Sequence, residues 1–372
     1  MRLITERGVL FKALNHVTSV VERRNTIPIL SNVLLEAKGD ALKLTATDLD
    51  VEVVESIAAE VSQEGGTTVA AHIIHDIVRK LPDGAQIEFS RGPDESRMAL
   101  VSGHARFALQ VLPPNDFPDL SAGDMSHAFD VSAKDLKRLI EKARFAISTE
   151  ETRYYLNGIY LHEVAGEGTQ LLRAVATDGH RLAQVEIDLP EGAKDIPGVI
   201  VPRKTVQELH KILEEETASV HVELSETKVR FACGNVTLTS KLIDGTFPDY
   251  GRVIPEGNDK EMRVSNAEFA HAVDRVSTLS SEKGRAVKLN ISDGKLVLSV
   301  NNPDSGSATE ELEVDYKGEP IEIGFNARYL LDISGQLESD TARFLLADPG
   351  SPTMVRDSSE SSAIYVLMPM RV

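Results

Sequence analysis

The sequence predicts an α+β protein built from three tandem copies of one domain, with antiparallel sheets covered on one side by two helices per copy. Three observations carry that prediction. The first is length: 372 residues, 41% of them hydrophobic, exceed what one hydrophobic core usually fills, so two or three domains are expected. The second is internal repetition. Ala46-Thr47-Asp48 recurs as Ala176-Thr177-Asp178, and Phe117-Pro118-Asp119-Leu120 as Phe247-Pro248-Asp249-Tyr250, both displaced by 130 residues. Asn32-Val33-Leu34-Leu35 has a counterpart in Asn157-Gly158-Ile159-Tyr160, and residues 69–81 resemble 201–213 in apolar spacing and basic character. The third is element order. Residues 263–279 open the last third as 130–147 open the second, and 324–337 take its second-helix slot.

Boundaries fall in polar, Gly-rich or Pro-rich stretches at 121–126 and 255–260, giving domains 1–124, 127–254 and 261–372. Each domain reads as a strand, a helix, several alternating strands, a second helix and more strands. Helices are predicted over 8–24, 72–80, 133–147, 203–213, 265–277 and 326–337. The spacing of Val9, Leu10, Ala13, Leu14 and Val17, and of Leu136, Leu139, Ile140 and Ala143, is helical, whereas Leu42-x-Leu44-x-Ala46 and 297–300 suit strands. Turn signals between strands stand at Lys38-Gly39-Asp40, Asp178-Gly179, Asp244-Gly245 and Ser292-Asp293-Gly294.

The single cysteine, Cys233, excludes an intramolecular disulfide and a cysteine-rich zinc site, and reads as a small core residue. The N-terminus carries Arg2, Glu6 and Arg7 where a signal peptide would be apolar, and no stretch is apolar enough to span a membrane. A cytoplasmic protein is expected, in which the sequons at Asn235 and Asn290 meet no glycosylation machinery. The net charge of −18 argues at first against nucleic acid. Its distribution argues otherwise. The six predicted helices hold 15 Lys and Arg against 8 Asp and Glu, so the strands and loops carry the acidic excess. A basic helical face backed by acidic sheets attracts phosphate on one side without reading bases.

No phosphate-binding loop, metal-binding helix pair, nucleophile elbow or dinucleotide turn occurs, so no cofactor, metal or catalytic residue is expected. One constellation keeps an enzyme reading open: in Thr177-Asp178-Gly179-His180-Arg181 an acid, an imidazole and a guanidinium stand together, as a hydrolase uses them. Asp178-Gly179 is equally a hairpin signal, and the relative Thr47-Asp48-Leu49-Asp50 lacks the His and Arg, so the second copy has gained a role that a binding pocket explains. A repeat-built scaffold that never meets DNA is the other alternative.

These same residues carry a family likeness. Arg153-Tyr154-Tyr155-Leu156-Asn157-Gly158, Ala176 to Leu182 as ATDGHRL, and Val201-Pro202-Arg203-Lys204 come in that order. With Ser240-Lys241-Leu242, Phe247-Pro248-Asp249-Tyr250 and the tail Tyr365-Val366-Leu367-Met368-Pro369-Met370-Arg371, they resemble the bacterial DNA polymerase III beta subunit, the sliding clamp, over essentially the whole chain.

The resemblance implies a non-catalytic head-to-tail homodimer, a ring of helices inside and sheets outside that encircles double-stranded DNA without sequence preference. It also implies a tether for the replicative polymerase, the clamp loader and repair proteins, which dock through short hydrophobic linear motifs. The dimer contact it implies uses Arg106, Phe107 and Leu109 against Thr278 and Leu279. One part of the partner-peptide groove is Leu156, Thr177, Gly179, His180, Arg181, Leu182, Pro248, Arg252, Val253, Val366 and Met368. The other is Asn326, Tyr329, Pro369 and Arg371. Apolar walls would take a peptide's Leu or Phe while His, Asn and Arg bond its backbone. Met370, alternating with Met368 along an extended tail, is expected to face elsewhere. DNA contacts are implied for Arg24, Arg79, Arg203, Lys204 and the loop Arg153-Tyr154-Tyr155. Two departures stand out: Glu150 where a neutral amide is common, and Gly251 where an arginine often precedes Arg252.

Overall fold

A computed structural model describes residues 1–92, 96–120, 123–166, 168–215, 218–280, 286–358 and 362–371; of the linker expected at 121–126, residues 121–122 lie outside the described residues. The order strand, helix, strands, helix, three strands occurs three times. The helices are α1 (Arg7–Thr18) and α2 (Ala71–Lys80), then α3 (Ala133–Arg144) and α4 (Arg203–Glu215), then α5 (Asn266–Ser277) and α6 (Ala327–Ser334). Four strands stand between the helices of the second and third copies; the first adds a short fifth, Glu60–Gln63.

Local chemistry sets the helix ends. The Glu6 carboxylate accepts from the Val9 N–H at 2.9 Å and starts α1. The helix then stops at Thr18, six residues short of the expected end. There the Thr18 and Ser19 hydroxyls donate to the carbonyls of Leu14 and His16, both at 2.6 Å. Val20 and Val21 are buried beyond that stop, so their apolar character prolonged the helical pattern without a helix. In the same way α3 ends at Arg144, and buried Ala146 and Ile147 form a tighter turn on the carbonyls of Ala143 and Arg144. Leu10, Ala13, Leu14 and Val17, and the stripe Leu136, Leu139, Ile140 and Ala143, face the core as their spacing requires.

The charge bias is narrower than six helices. Helices α1 to α3 hold nine Lys and Arg against three Asp and Glu, but α4 to α6 hold five against six. Asp244-Gly245 is no hairpin turn either, since 244–249 contain no strand. Gly245 packs closely instead: a Cβ there would stand 3.1 Å from the Tyr155 Cβ, a tight contact.

The chain forms two compact units, Met1–Lys137 with Pro190–Ile243, and Arg138–Leu189 with Asp244–Val372. The first holds a 13-stranded antiparallel sheet. The second holds a four-stranded sheet, and seven strands ordered Gly158–Ala165, Gln170–Thr177, Arg181–Asp188, Ala363–Leu367, Thr353–Asp357, Thr341–Leu346 and Lys260–Ser265.

One junction occurs in both units. In the first, Val51–Ala58, the third strand after α1, pairs with Val236–Lys241, the last strand of the second copy, in the register Val236 to Glu55 through Ser240 to Val51. In the second, Arg181–Asp188, the third strand after α3, pairs with Ala363–Leu367, the last strand of the third copy. Two equivalent strands remain. Ala105–Leu112, the last strand of the first copy, is paired on one side to Arg97–Ser102 and on the other only through Val111 and Leu112. Gly306–Glu313, the third strand after α5, is the outer strand of its sheet.

Candidate functional site

The TDGHR segment is a tight turn between Gln170–Thr177 and Arg181–Asp188. The Asp178 Oδ1 accepts from the N–H groups of His180 and Arg181 at 2.9 and 3.0 Å, and the Thr177 hydroxyl donates to the Arg181 carbonyl at 2.7 Å. The first copy builds the same turn. Asp48 Oδ1 accepts from Asp50 and Val51, Thr47 donates to the Val51 carbonyl, and Leu49 occupies the left-handed position at φ 78° that Gly179 occupies at φ 88°. A Cβ at 179 would also fall 2.7 Å from the Arg153 guanidinium, the tip of an exposed side chain that can move aside. Gly179→Ala is expected to lower stability by about 1–2 kcal/mol, the cost of a left-handed side chain, and a thermal unfolding scan checks it.

Arg181 is held by the fold. Its side chain is 8% exposed; it pairs with Asp178 at 3.2 Å and Asp332 at 2.5 Å, and donates to the Phe145 carbonyl at 2.6 Å. Its guanidinium also lies 4.3 Å from the Tyr329 ring centroid. The acid and guanidinium of the hydrolase reading are thus consumed by the turn and its anchor. His180 alone of the three is exposed, beside Tyr329 with ring centroids 6.4 Å apart.

Above this turn lies an apolar cavity of about 160 Å³, lined by Leu156, Thr177, Gly179, Arg181, Leu182, Pro248, Asp249, Tyr250, Val253, Val366 and Met368. Nine of these were expected from the sequence. Leu182, Val366 and Leu156 form its buried floor, while Val253 (46% exposed) and Met368 (39%) stand on its open rim. The Met368 N–H donates to the His180 carbonyl at 2.9 Å, which continues the pairing of Arg181–Asp188 with Ala363–Leu367 to the rim. Arg252 is exposed and points to Asp249 at 2.8 Å rather than lining the cavity. Of the second group, Asn326 caps α6 by accepting from the Arg328 N–H at 3.0 Å. Tyr329 stands on α6, Pro369 is half-buried and Arg371 exposed. Met370 donates its N–H to the Gly324 carbonyl at 2.8 Å.

Sequence reasoning missed Asp249 and Tyr250 as lining residues. The Tyr250 hydroxyl receives Arg173 Nη1 at 2.9 Å and meets His162 Nε2 at 2.9 Å, and Arg173 Nε donates to Glu186 at 2.6 Å. Behind it the rings of Tyr160 and Phe247 stack at 4.9 Å, and those of Tyr160 and His162 at 4.4 Å. Burial, with some help from the Arg173 charge, pushes the His162 imidazole down to about 4, so it is neutral near pH 7.

The residues expected at DNA lie on several elements. Arg24 is exposed in the segment after α1, outside any helix, and Arg79 stands on α2 with Asp76 3.2 Å away. Arg203 is exposed at the start of α4. Tyr154 (54% exposed) and Tyr155 meet edge to face at 5.7 Å, and Arg153 pairs with Glu150 at 3.2 Å, so Glu150 already draws on that cation.

Lys204 differs from these. Its ammonium donates to Asp48 Oδ2 at 2.5 Å and to the Val20 carbonyl at 3.1 Å. Burial raises the Asp48 carboxyl, but the Lys204 hydrogen bond and the N–H groups of Val51 and Asp50 outweigh it and hold the group below its ordinary value. A depressed carboxyl stabilises the fold above its unfolded value and loses that contribution as pH falls through the folded one. Lys204→Ala leaves burial less opposed. Acid unfolding followed by circular dichroism should then begin at higher pH, with about 1–2 kcal/mol lost near neutrality, a figure reduced because Lys204 stays a third open to solvent.

Arg106 is exposed and Phe107 and Leu109 are half-buried on Ala105–Leu112, the strand with the open edge. Thr278 and Leu279 lie just past α5, where the Leu279 carbonyl accepts from Asn302 at 3.0 Å. They lie beside the four-stranded sheet at Asn302 without forming its edge. The edge is Gly306–Glu313, which the sequence reading passed over.

Three family models match the chain: the DNA polymerase III beta subunit N-terminal domain over residues 1–121, its central domain over 130–249 and its C-terminal domain over 251–371. The Beta sliding clamp of Caulobacter vibrioides strain NA1000 / CB15N is 55% identical over 372 residues, and that of Escherichia coli strain K12 40% identical over 373, each covering 100% of both chains. Among solved structures, a sliding clamp from Bartonella birtlesii bound to griselimycin superposes with a TM-score of 0.97 at 55% identity. A polymerase sliding clamp from Caulobacter crescentus does so at 0.95 and 54%; both cover 100% of each chain.

Proposed function

Because this chain belongs to the DNA polymerase III beta subunit family along its whole length, its function is that of a DNA sliding clamp, and we propose that it performs it as a closed head-to-tail dimer around duplex DNA. It is the non-catalytic clamp subunit of a polymerase, not an enzyme itself. We keep its three domains at 1–124, 127–254 and 261–372.

One observation carries the closed dimer. The junction between a third strand and a last strand is made twice within the chain, and the two strands left over are an outer Gly306–Glu313 and a mostly open Ala105–Leu112. The same junction made twice between two copies uses both edges of each chain, and removes the exposed strands that would otherwise template aggregation. Their charges favour it: Arg106 stands on one edge, Glu311 and Glu313 on the other. Phe107 and Leu109 supply the apolar contact, with Thr278 and Leu279 at its margin.

A closed ring cannot leave DNA by simple dissociation, so weak phosphate contacts suffice. Arg24, Arg79, Arg153 and Arg203, with Tyr154 and Tyr155, supply such contacts without reading bases. Lys204, a third open to solvent, adds a contact of the same kind while its ammonium also holds the Asp48 turn. The apolar cavity and the neighbouring Asn326, Tyr329, Pro369 and Arg371 receive a short hydrophobic peptide from the replicative polymerase, the clamp loader or repair proteins, and griselimycin by the same chemistry. Tethering raises the polymerase's effective concentration at DNA and gives processivity. An ATP-driven loader opens the ring. No helix among the described residues is long and apolar enough to cross a membrane, and we place the protein in the cytoplasm with the DNA it serves.

Light scattering at micromolar and then nanomolar concentration tests the assembly. A mass persistently twice 40.6 kDa is expected, and a micromolar monomer would remove the topological mechanism.

A further inference from the structure

We propose that Arg173, Tyr250 and His162 form a hydrogen-bonded brace that fixes one wall of the groove, making His162 and Arg173 positioning residues for the bound peptide although neither lines the cavity. The inference rests on the reading of that cavity as the peptide site.

The bond directions follow from the partners. His162 Nδ1 lies 3.1 Å from the Glu163 carbonyl, which can only accept, so in the neutral ring Nδ1 carries the proton and Nε2 is the acceptor. The Tyr250 hydroxyl therefore donates to His162 and accepts from Arg173, whose guanidinium can only donate. Glu186 fixes Arg173 from the other side, with Gln184 donating to the same carboxylate at 3.3 Å. Arg173, Tyr250 and His162 each have a partner of the right kind, which makes the chain directional and rigid.

Its position gives it a task. Tyr250 opens the 3₁₀ turn Tyr250–Val253, and Pro248, Asp249, Tyr250 and Val253 together make one wall of the cavity. Val253 stands on the rim, 46% exposed, so its own burial does little to hold it. The wall is consequently held through the Tyr250 hydroxyl and the Tyr160–Phe247 stack. Loss of the hydroxyl's partners lets the turn shift, and a cavity this small loses its fit with a shift of an ångström or less.

The test is titration calorimetry of griselimycin against the full-length protein, with thermal unfolding of each variant alongside. Tyr250→Phe keeps the ring and removes the bond; His162→Leu removes the acceptor from behind the wall; His162→Gln restores an acceptor oxygen. Tyr250→Phe and His162→Leu are expected to bind roughly 3- to 10-fold more weakly, the worth of one net hydrogen bond, and His162→Gln within about twofold of the parent. Val253→Asp, on the cavity rim, serves as the control for the site itself. If Val253→Asp abolishes binding while Tyr250→Phe and His162→Leu bind as the parent does, the brace is refuted and the groove stands. Equal losses in His162→Gln and His162→Leu would likewise refute it, since restoring the acceptor must restore the wall. If Val253→Asp binds unchanged, the groove reading falls and the brace with it.

Discussion

Ala108→Pro in the strand Ala105–Leu112 is expected to turn the dimer into a monomer, weakening association by at least about 100-fold, or roughly 3 kcal/mol. The Val111 N–H donates inward to the Ser96 carbonyl at 3.1 Å, and in an antiparallel ladder the inward bonds alternate along the strand. Arg106, Ala108 and Gln110 therefore direct their N–H groups to the open edge. Proline at 108 removes one of those donors and places a ring where a partner strand must approach, yet it breaks no bond to Arg97–Ser102. Edge strands tolerate proline for this reason. Sedimentation equilibrium checks the mass, and unchanged circular dichroism shows that the fold remains. A dimer of parental affinity would mean that Ala105–Leu112 is not the contact.

The second large effect is at the groove. Val253→Asp puts a carboxylate on the rim of a cavity whose floor is Leu182, Leu156 and Val366. An apolar anchor entering it would have to desolvate that charge without a partner, so affinity for griselimycin should fall by about 100-fold or more. The unfolding temperature should barely move, since Val253 is nearly half exposed already. Calorimetry and a melting curve on the same sample separate the two effects.

What could be read from the sequence was what is local. The Thr-Asp turns at 47–51 and 177–181 are made of hydrogen bonds spanning two to four residues, so their repetition exposed the duplicated fold directly. Nine of the eleven cavity-lining residues came with the family resemblance of the segments at 153–158, 176–182 and 247–253 and of the tail; Asp249 and Tyr250 did not. What stayed hidden depends on partners far along the chain. The second role of Lys204, its bond to Asp48 156 residues away, is invisible in the sequence. Arg181 reads as available until Asp332 is seen beside it, 151 residues on.

In the sequence Tyr250 is only the end of a repeated string, because its partners His162 and Arg173 lie 88 and 77 residues back. One clue was present: the first copy has Leu120 where the second has Tyr250, a hydroxyl gained in the copy that forms the cavity. The open edge at Gly306–Glu313 could not be read at all. A run of small residues followed by Glu310, Glu311, Leu312 and Glu313 looks the same on any half-exposed strand, and only the pairing of its neighbours reveals that one side is vacant.

Retention on DNA tests the topological claim most directly. The protein is loaded with a clamp loader and ATP onto nicked circular duplex, separated from free protein by gel filtration at high salt, and the plasmid is then cut once. The account predicts that the protein stays on the circle, where phosphate contacts are screened, and is lost within minutes of linearisation as it slides off the ends. Equal retention on circular and linear DNA, or release from both as salt rises, would contradict it, because the protein would then be held by its contacts and not by encirclement.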